Sequence, residues 1–300
     1  MIMETKSMNI PEDTLLSLRR PNQFKEVWRR FRKNKLAMFG LIVLLIISLM
    51  VIFAEQIGSY ESCVTMDMSQ KLLSPSLEHP FGMDAFGRDL FVRCVHGGRI
   101  SLFISITASL LSMLFGGVLG MISAFYGKSF DNIVMRILDI FSAIPTILLA
   151  LTLVAALGQG VGNLIAALVI SKIPAFARIV RASTLGVVGQ EYIEAAHAGG
   201  TSDIHIMVKH VLPNIAGPLI VQTTMNVASM IMQIASLSFL GLGISAPQPE
   251  WGTLISEAKE YMRLKPFMIV FPGLCIIMTS VSFNLLGDGL RDALDPRLKS

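Results

Sequence analysis

Few side chains in this sequence are spaced for chemistry. Gly127-Lys128-Ser129 has the ending of a phosphate-binding loop, in which backbone N–H groups cradle phosphate and a lysine neutralises it. That loop needs a further glycine five residues before Gly127, where the sequence has Ile122. The chain is therefore expected to bind no ATP, and no other cofactor, by itself. His197, His205 and His210 share one segment with Asp203, but the His-Glu-x-x-His spacing of a zinc protease is missing. They read better as surface histidines facing lipid or a partner, so no metal site is expected. No Gly-x-Ser-x-Gly nucleophile elbow occurs. Cys63, Cys94 and Cys275 have no metal-ligand spacing; Cys63 and Cys94 share one connecting segment, which leaves a disulfide between them open.

Two other sets of polar residues have a spacing that means something. Glu191 and Glu194 open a helix-favouring stretch that runs through Ala195 and Ala196 to Ala198, and Gly199-Gly200 ends it. Thr201 or Ser202 can then cap a second helix with Asp203 in its first turn, and Pro213 after Leu212 is expected to end or kink that helix. The small alanine surface would let another protein pack closely, with Glu194 as a charged contact; the alternative is a plain surface loop. The second set lies in apolar surroundings. Lys172 sits nine residues after Asn163, roughly 14 Å along a helix. It either faces a polar path, pairs with an acid such as Asp139, or snorkels to the nearer interface. Gln222, Asn226 and Gln233 recur at i, i+4 and i+11, with Ser229 and Ser236 on the same stripe, so that helix face packs on other helices or lines a path.

The elements that must hold these groups follow from composition. Residues AVILMFWYC make up 53% of the 300 residues and DEKR only 15%, and the mean hydropathy is +0.63. An ordinary soluble domain has about 25% charged residues, so there is too little polar surface here to cover a core. Disorder, collagen, coiled coil and disulfide-scaffold classes are excluded on the same count. Charge-free runs mark six expected helical spans at 36–57, 100–125, 137–157, 163–182, 214–241 and 266–287. The 140–171 run is split at Gly158–Asn163, a turn-forming cluster. Alternating ten-residue segments of a β-barrel are missing. The expected fold is therefore all-α and polytopic.

Basic residues set the expected orientation. With the N-terminus inside, the inner segments carry seventeen Lys and Arg and the outer segments seven. The net charge of +4 then reflects the positive-inside bias and not a nucleic-acid surface. The organisation becomes a cytoplasmic segment 1–35, a first span 36–57, an extracytoplasmic loop 58–99, a core 100–287 containing the inner loop 183–213, and a cytoplasmic tail 288–300. The first span starts too late and is too long for a cleaved signal peptide. Before it, Phe24, Val27, Trp28 and Phe31 fall on one helix face and Lys25, Arg29, Arg32 and Lys33 on the other, an amphipathic helix expected on anionic lipid.

Glu194-Ala195-Ala196, then Gly200, then Leu212-Pro213 at their spacing resemble the signature of ABC importer permeases. The position that usually carries Ile is His210, with the apolar residue at Val211. The loop Gly82-Met-Asp84-Ala-Phe-Gly87-Arg88-Asp89, the Trp251-Gly252 pair and the Asn284–Pro296 tail narrow the resemblance to the C-type subunit of the dipeptide/oligopeptide/nickel importer family, over roughly residues 22–298. The resemblance implies that Glu191, Glu194, Ala195, Ala196, Gly199, Gly200, Leu212 and Pro213 form a coupling element seated on an ATPase subunit. It further implies a second permease as heterodimer partner, two ATPase subunits that bind ATP and Mg, an extracytoplasmic substrate-binding protein, and a multi-pass place in the cell membrane. Lys172, Gln222, Asn226 and Gln233 are then candidates for the path. Substrates within the resemblance include dipeptides, oligopeptides, nickel or another small solute. An intramembrane enzyme would need a paired nucleophile and base at one depth, which the sequence lacks, and a gated channel would need no ATPase-docking loop.

Overall fold

The computed structural model describes residues 23–295. The basic pair Arg19-Arg20, the rest of 1–22 and the tail from Pro296 onward lie outside the described residues, as does the side chain of Phe24. Among the described residues the fold is all-α, with one isolated bridge between Met83 and Asp89.

Helix α1 is Gln23–Lys33 and α2 is Lys35–Ile52, separated by Asn34, whose side chain accepts the Ala37 N–H. The short helices α3 (Ala54–Ile57) and α4 (Tyr60–Val64) lead into an irregular loop. The long α5 (Leu90–Tyr126) follows, then α6 (Lys128–Ser142), α7 (Thr146–Leu157) and α8 (Val161–Val188). Helix α9 (Glu191–Ala198) precedes α10 (Asp203–Phe239). The chain closes with α11 (Trp251–Ala258) and α12 (Phe267–Leu294). Helices α2, α5, α8, α10 and α12 are long and apolar enough to cross a membrane, and α6 with α7 makes a sixth span if the bent pair counts as one.

Several helices overrun the spans expected from charge-free runs. The clearest is α5, which begins at Leu90 and not near 100. At 37 residues it is about 55 Å long, against a hydrocarbon core of about 30 Å. The run of uncharged residues marks hydrocarbon, whereas a helix continues wherever its charges find partners. The expected span 137–157 is also corrected. It is two limbs meeting at 80°, because Pro145 starts α7 and the residues before a proline are pushed out of helical geometry.

The amphipathic α1 departs from the expectation of a helix laid wholly on lipid. Phe31 is buried against Ala37 and Ala293, and Val27 joins them, while Trp28 stays exposed. Gly289 in α12 makes room for this contact, since a Cβ there would meet Ala37 and the Phe31 ring. Of the three described apolar side chains, Val27 and Phe31 thus hold α1 on the end of the last span.

The main core joins α5, α7, α8 and α10 through Ile104, Ala108, Ala150, Leu164, Leu168 and Ile234. Helices α5 and α8 approach most closely at Gly116 and Gly120. A Cβ at Gly116 would lie 2.7 Å from the Ile173 carbonyl oxygen, and one at Gly120 would collide with that of Ala177. Small residues at such crossings are how helices pack where no water drives them together. Helix α6 is tied to α8 by charge. Arg181 makes a two-pronged contact with Asp131, which also accepts the Ser123 hydroxyl, and Arg178 bonds Asp139 at 2.9 Å. Asp139 therefore serves Arg178, and the expected Lys172–Asp139 pair does not form.

Candidate functional site

Three sites hold the predicted residues. The first is α9 and the turn after it, which lies beside the α5 terminus, where Phe125 meets the His197 ring at 5.5 Å. One side chain is the main anchor of α9, with Ala196 packed partly beside it. Ile193 is buried among Val180, Ile206, Val211, Ile215 and Leu219. Glu191, Glu194, Ala195, His197 and Ala198 are exposed and Ala196 is half-buried. The helix ends in a paired reversal: Gly199 N–H donates to Ala195 O, Gly200 N–H to His197 O at 2.9 Å and Thr201 N–H to Ala196 O at 3.1 Å. Only Gly200 needs to be glycine for its backbone, with φ +76°, whereas Gly199 has an ordinary φ of −75°.

The second half of this segment corrects two expectations. Ser202 starts α10 in extended backbone, but its hydroxyl makes no capping bond. Pro213 does not end the helix, because α10 runs on from Asp203 through Phe239. A π-helical stretch at Met207–Val211, with Leu212 N–H bonded to Met207 O, carries the helix past the proline. Asn214 adds a side-chain bond to His210 O at 2.6 Å. The exposed α9 is thus joined by the 199–202 turn to a helix that continues through the π stretch into a membrane span. His197 and Asp203 stand 3.9 Å apart and exposed, and no group of three metal-ligating side chains converges among the described residues.

The second site is the polar face between α8 and α10. Lys172 Nζ donates to Ser229 Oγ at 3.0 Å. Asn226 is buried toward α5, where it donates to Ser109 Oγ at 3.2 Å. Gln233 is half-buried, and its side-chain oxygen is buried without a hydrogen-bond partner. Gln222 is nearer the α9 face and lines an open cleft of about 400 Å³ with Pro218, Met225 and Arg291. The structure thus couples Lys172 to the α10 stripe through Ser229, while Asn226 serves packing.

The third site is the loop before α5. Gly82 and Gly87 have φ +76° and +70°, and Gly87 leaves no room for a Cβ against Asp67 O. Asp84 Oδ1 accepts the N–H groups of Phe86 and Arg88, which closes the turn. Its Oδ2 accepts Arg88 Nε at 2.7 Å and Arg93 Nη1. Glu257 of α11 accepts both guanidiniums, at 2.7 and 2.8 Å. Arg88, Arg93 and Asp84 are all at most 3% exposed. Asp89 stands apart from this cluster; it caps α5 through the Val92 N–H and bonds His79 at 2.8 Å. Sequence reasoning missed Glu257, and also Glu250, which caps α11 and accepts the Ser101 hydroxyl. The signal for Glu257 was present: Asp89 is used as a cap, so two arginines faced one remaining aspartate.

No Cys63–Cys94 disulfide forms, since all three cysteines are free. Cys94 instead shares a small apolar pocket with Cys275, Phe81 and Trp251. Burial pushes the Cys63 thiol from 9.0 up to about 11. A raised thiol pKa keeps the proton on in the folded state, so reactivity appears only as pH climbs toward that value. At about pH 8 the thiolate fraction is on the order of 0.1% against about 10% for an unshifted thiol of pKa 9. Cys63 is therefore expected to resist maleimide in the folded protein and to label after denaturation, as read by mass spectrometry; full labelling of the folded protein would contradict its burial.

A polytopic helical bundle with a polar face inside its spans and an exposed short helix on one face suits a membrane transport subunit. The comparisons agree. Residues 116–300 match the family described as binding-protein-dependent transport system inner membrane component, and residues 22–75 match the N-terminal TM domain of oligopeptide transport permease C. The dipeptide transport system permease protein DppC of Alkalihalophilus pseudofirmus is 41% identical over 290 residues, covering 97% of this chain and 94% of the relative. The glutathione transport system permease protein GsiD of Escherichia coli is 42% identical over 288 residues, covering 95% of each. The inward-facing MetNI methionine ABC transporter shares the fold, with a TM-score of 0.56 and 19% identity over 69% of this chain and 97% of that one. The chain belongs to the binding-protein-dependent transport system inner membrane components. It is a permease subunit of an ABC importer, a transport subunit and not an enzyme, in the cell membrane with multiple passes.

Proposed function

We propose that this permease takes up short peptides, and that α9 with its Gly200 turn is the element through which ATP hydrolysis on other subunits drives it. The observation that carries this reading is the construction of α9: a helix anchored by the buried Ile193, exposed on its Glu194-Ala195 surface, and joined by the short 199–202 turn to α10, which continues through its π turn into a membrane span. A subunit pressing on α9 would move α10 as a lever. In this reading the α9 face is cytoplasmic, along with both termini, and the loop carrying Gly82–Asp89 faces outward to meet a soluble binding protein. ATP and Mg would sit on two ATPase subunits, and a second, different permease would complete the path at the shared interface. Peptide cargo is supported by the two relatives named for a dipeptide and for glutathione, itself a peptide.

The test is purification of a tagged subunit from its native membrane followed by reconstitution. ATPase subunits and a second permease should co-purify, and peptide-loaded binding protein should raise ATP hydrolysis more than nickel-loaded binding protein. Purification as a lone chain would overturn the assembly, and stimulation by the nickel-loaded form alone would overturn the cargo.

A further inference from the structure

Lys172 is a cation in a membrane span, and among the described residues no acid balances it. It lies eleven residues into α8, about 16 Å from the helix start and well inside the apolar layer. Its one hydrogen bond is to the Ser229 hydroxyl, which leaves two ammonium protons without a partner. The acids on the neighbouring α6 are already taken, Asp131 by Arg181 and Asp139 by Arg178. No carboxylate pairs with Lys172 among the described residues. Lys172 and Ser229 are both only partly buried, so this donor pair is accessible from outside the helix packing. A charge at this depth does not face lipid when it has an alternative.

We propose that Lys172 and Ser229 form a station in the path that receives the terminal carboxylate of a peptide. This rests on the peptide-importer reading. The Lys172 ammonium, with two protons to spare, and the Ser229 hydroxyl supply donors to the carboxylate. The same charge repels a bare divalent cation, so the station selects against metal cargo within the same architecture.

The test uses the complete complex in proteoliposomes with its own binding protein and a radiolabelled tripeptide, supplied with a free C-terminal carboxylate or as its C-terminal amide. The readout is the ratio of acid to amide uptake in one preparation, which cancels the amount of complex, and dividing the variant's ratio by that of the wild type cancels the preference of the shared binding protein. The ratio is expected to fall about tenfold in Lys172→Met and to stay near wild type in Lys172→Arg, since one charge-assisted contact corresponds to about that factor. An unchanged ratio in Lys172→Met overturns the station. Loss of the second permease from the Lys172→Met complex, with retention in Lys172→Arg, also overturns it and assigns the charge to a carboxylate of that subunit. A wild-type complex that carries neither peptide overturns the peptide reading and this inference with it.

Discussion

Asp84→Ala is expected to leave little folded subunit in the membrane. The carboxylate accepts four bonds: two from backbone N–H groups that close the loop and two from guanidiniums. Its removal leaves Arg88 and Arg93, at 2% and 1% exposure, sharing Glu257 alone. Arg93 already has Nε and Nη2 buried without partners, so it has no spare acceptor to turn to. Breaking a buried ion cluster by deleting one member typically costs about 3–5 kcal/mol, because the remaining charges stay buried and unbalanced. Set against a total stability of about 5–15 kcal/mol for a folded protein, that is a large fraction. Asp84→Asn should fall between, keeping an acceptor for the turn but losing the charge. Arg178→Ala is the control, because its pair with Asp139 has side chains 45% and 65% exposed and should contribute about 1 kcal/mol or less. Thermal unfolding of the detergent-purified complex carrying each variant separates these, with Asp84→Ala lowest and Arg178→Ala close to wild type. Equal melting of Asp84→Ala and Arg178→Ala would show that the cluster does not hold the loop to α11.

How much of this was legible in the sequence depends on whether a feature is local. The exposed α9 and its glycine stop could be read because a helix end is set by a few consecutive residues. Pro213 misled for the same reason: locally it reads as a stop, and only the π turn before it shows how the helix continues. Charge-free runs located the spans but shortened α5, since the partners that let Arg93 and Arg99 sit in a helix come from Glu257 and from the α2 terminus, far away in sequence. Lys172 was legible as an anomaly, but its neighbour was not. Asp139 was the acid the sequence offered it, but that acid is taken by Arg178, six residues further along α8, and Lys172 turns to Ser229 on a helix far away in sequence.

Gly200→Val is expected to cut uptake by at least about tenfold while ATP hydrolysis continues, if α9 is the coupling element. The reason is backbone geometry and not space. Nothing lies within 4 Å of a Cβ built at Gly200, yet its φ is +76°. An L-residue held there costs roughly 1–2 kcal/mol, and a β-branched one is a genuine outlier. A shift of about 1.4 kcal/mol in the turn's equilibrium is a factor of ten in its population. Losing that turn breaks the Gly200–His197 and Thr201–Ala196 bonds and frees the end of α9 from its fixed angle to α10. The pattern across substitutions discriminates this from simple crowding of a partner. If backbone conformation governs, Gly200→Asn should work better than Gly200→Ala, because asparagine tolerates the left-handed region, and Gly200→Val should be worst. If contact with a partner governs, uptake should fall with side-chain volume, and Gly200→Ala should be the mildest change. Gly199→Ala, at φ −75°, should be tolerated in either case as far as α9 itself is concerned. Glu194→Lys reverses charge on the exposed surface without touching the turn and should weaken binding of the ATPase subunit, a loss that added salt would reproduce in the wild type. Coupled assays of hydrolysis and uptake on one reconstituted series therefore assign turn and surface separately, and full uptake in both Gly200→Val and Glu194→Lys would remove α9 from the coupling path.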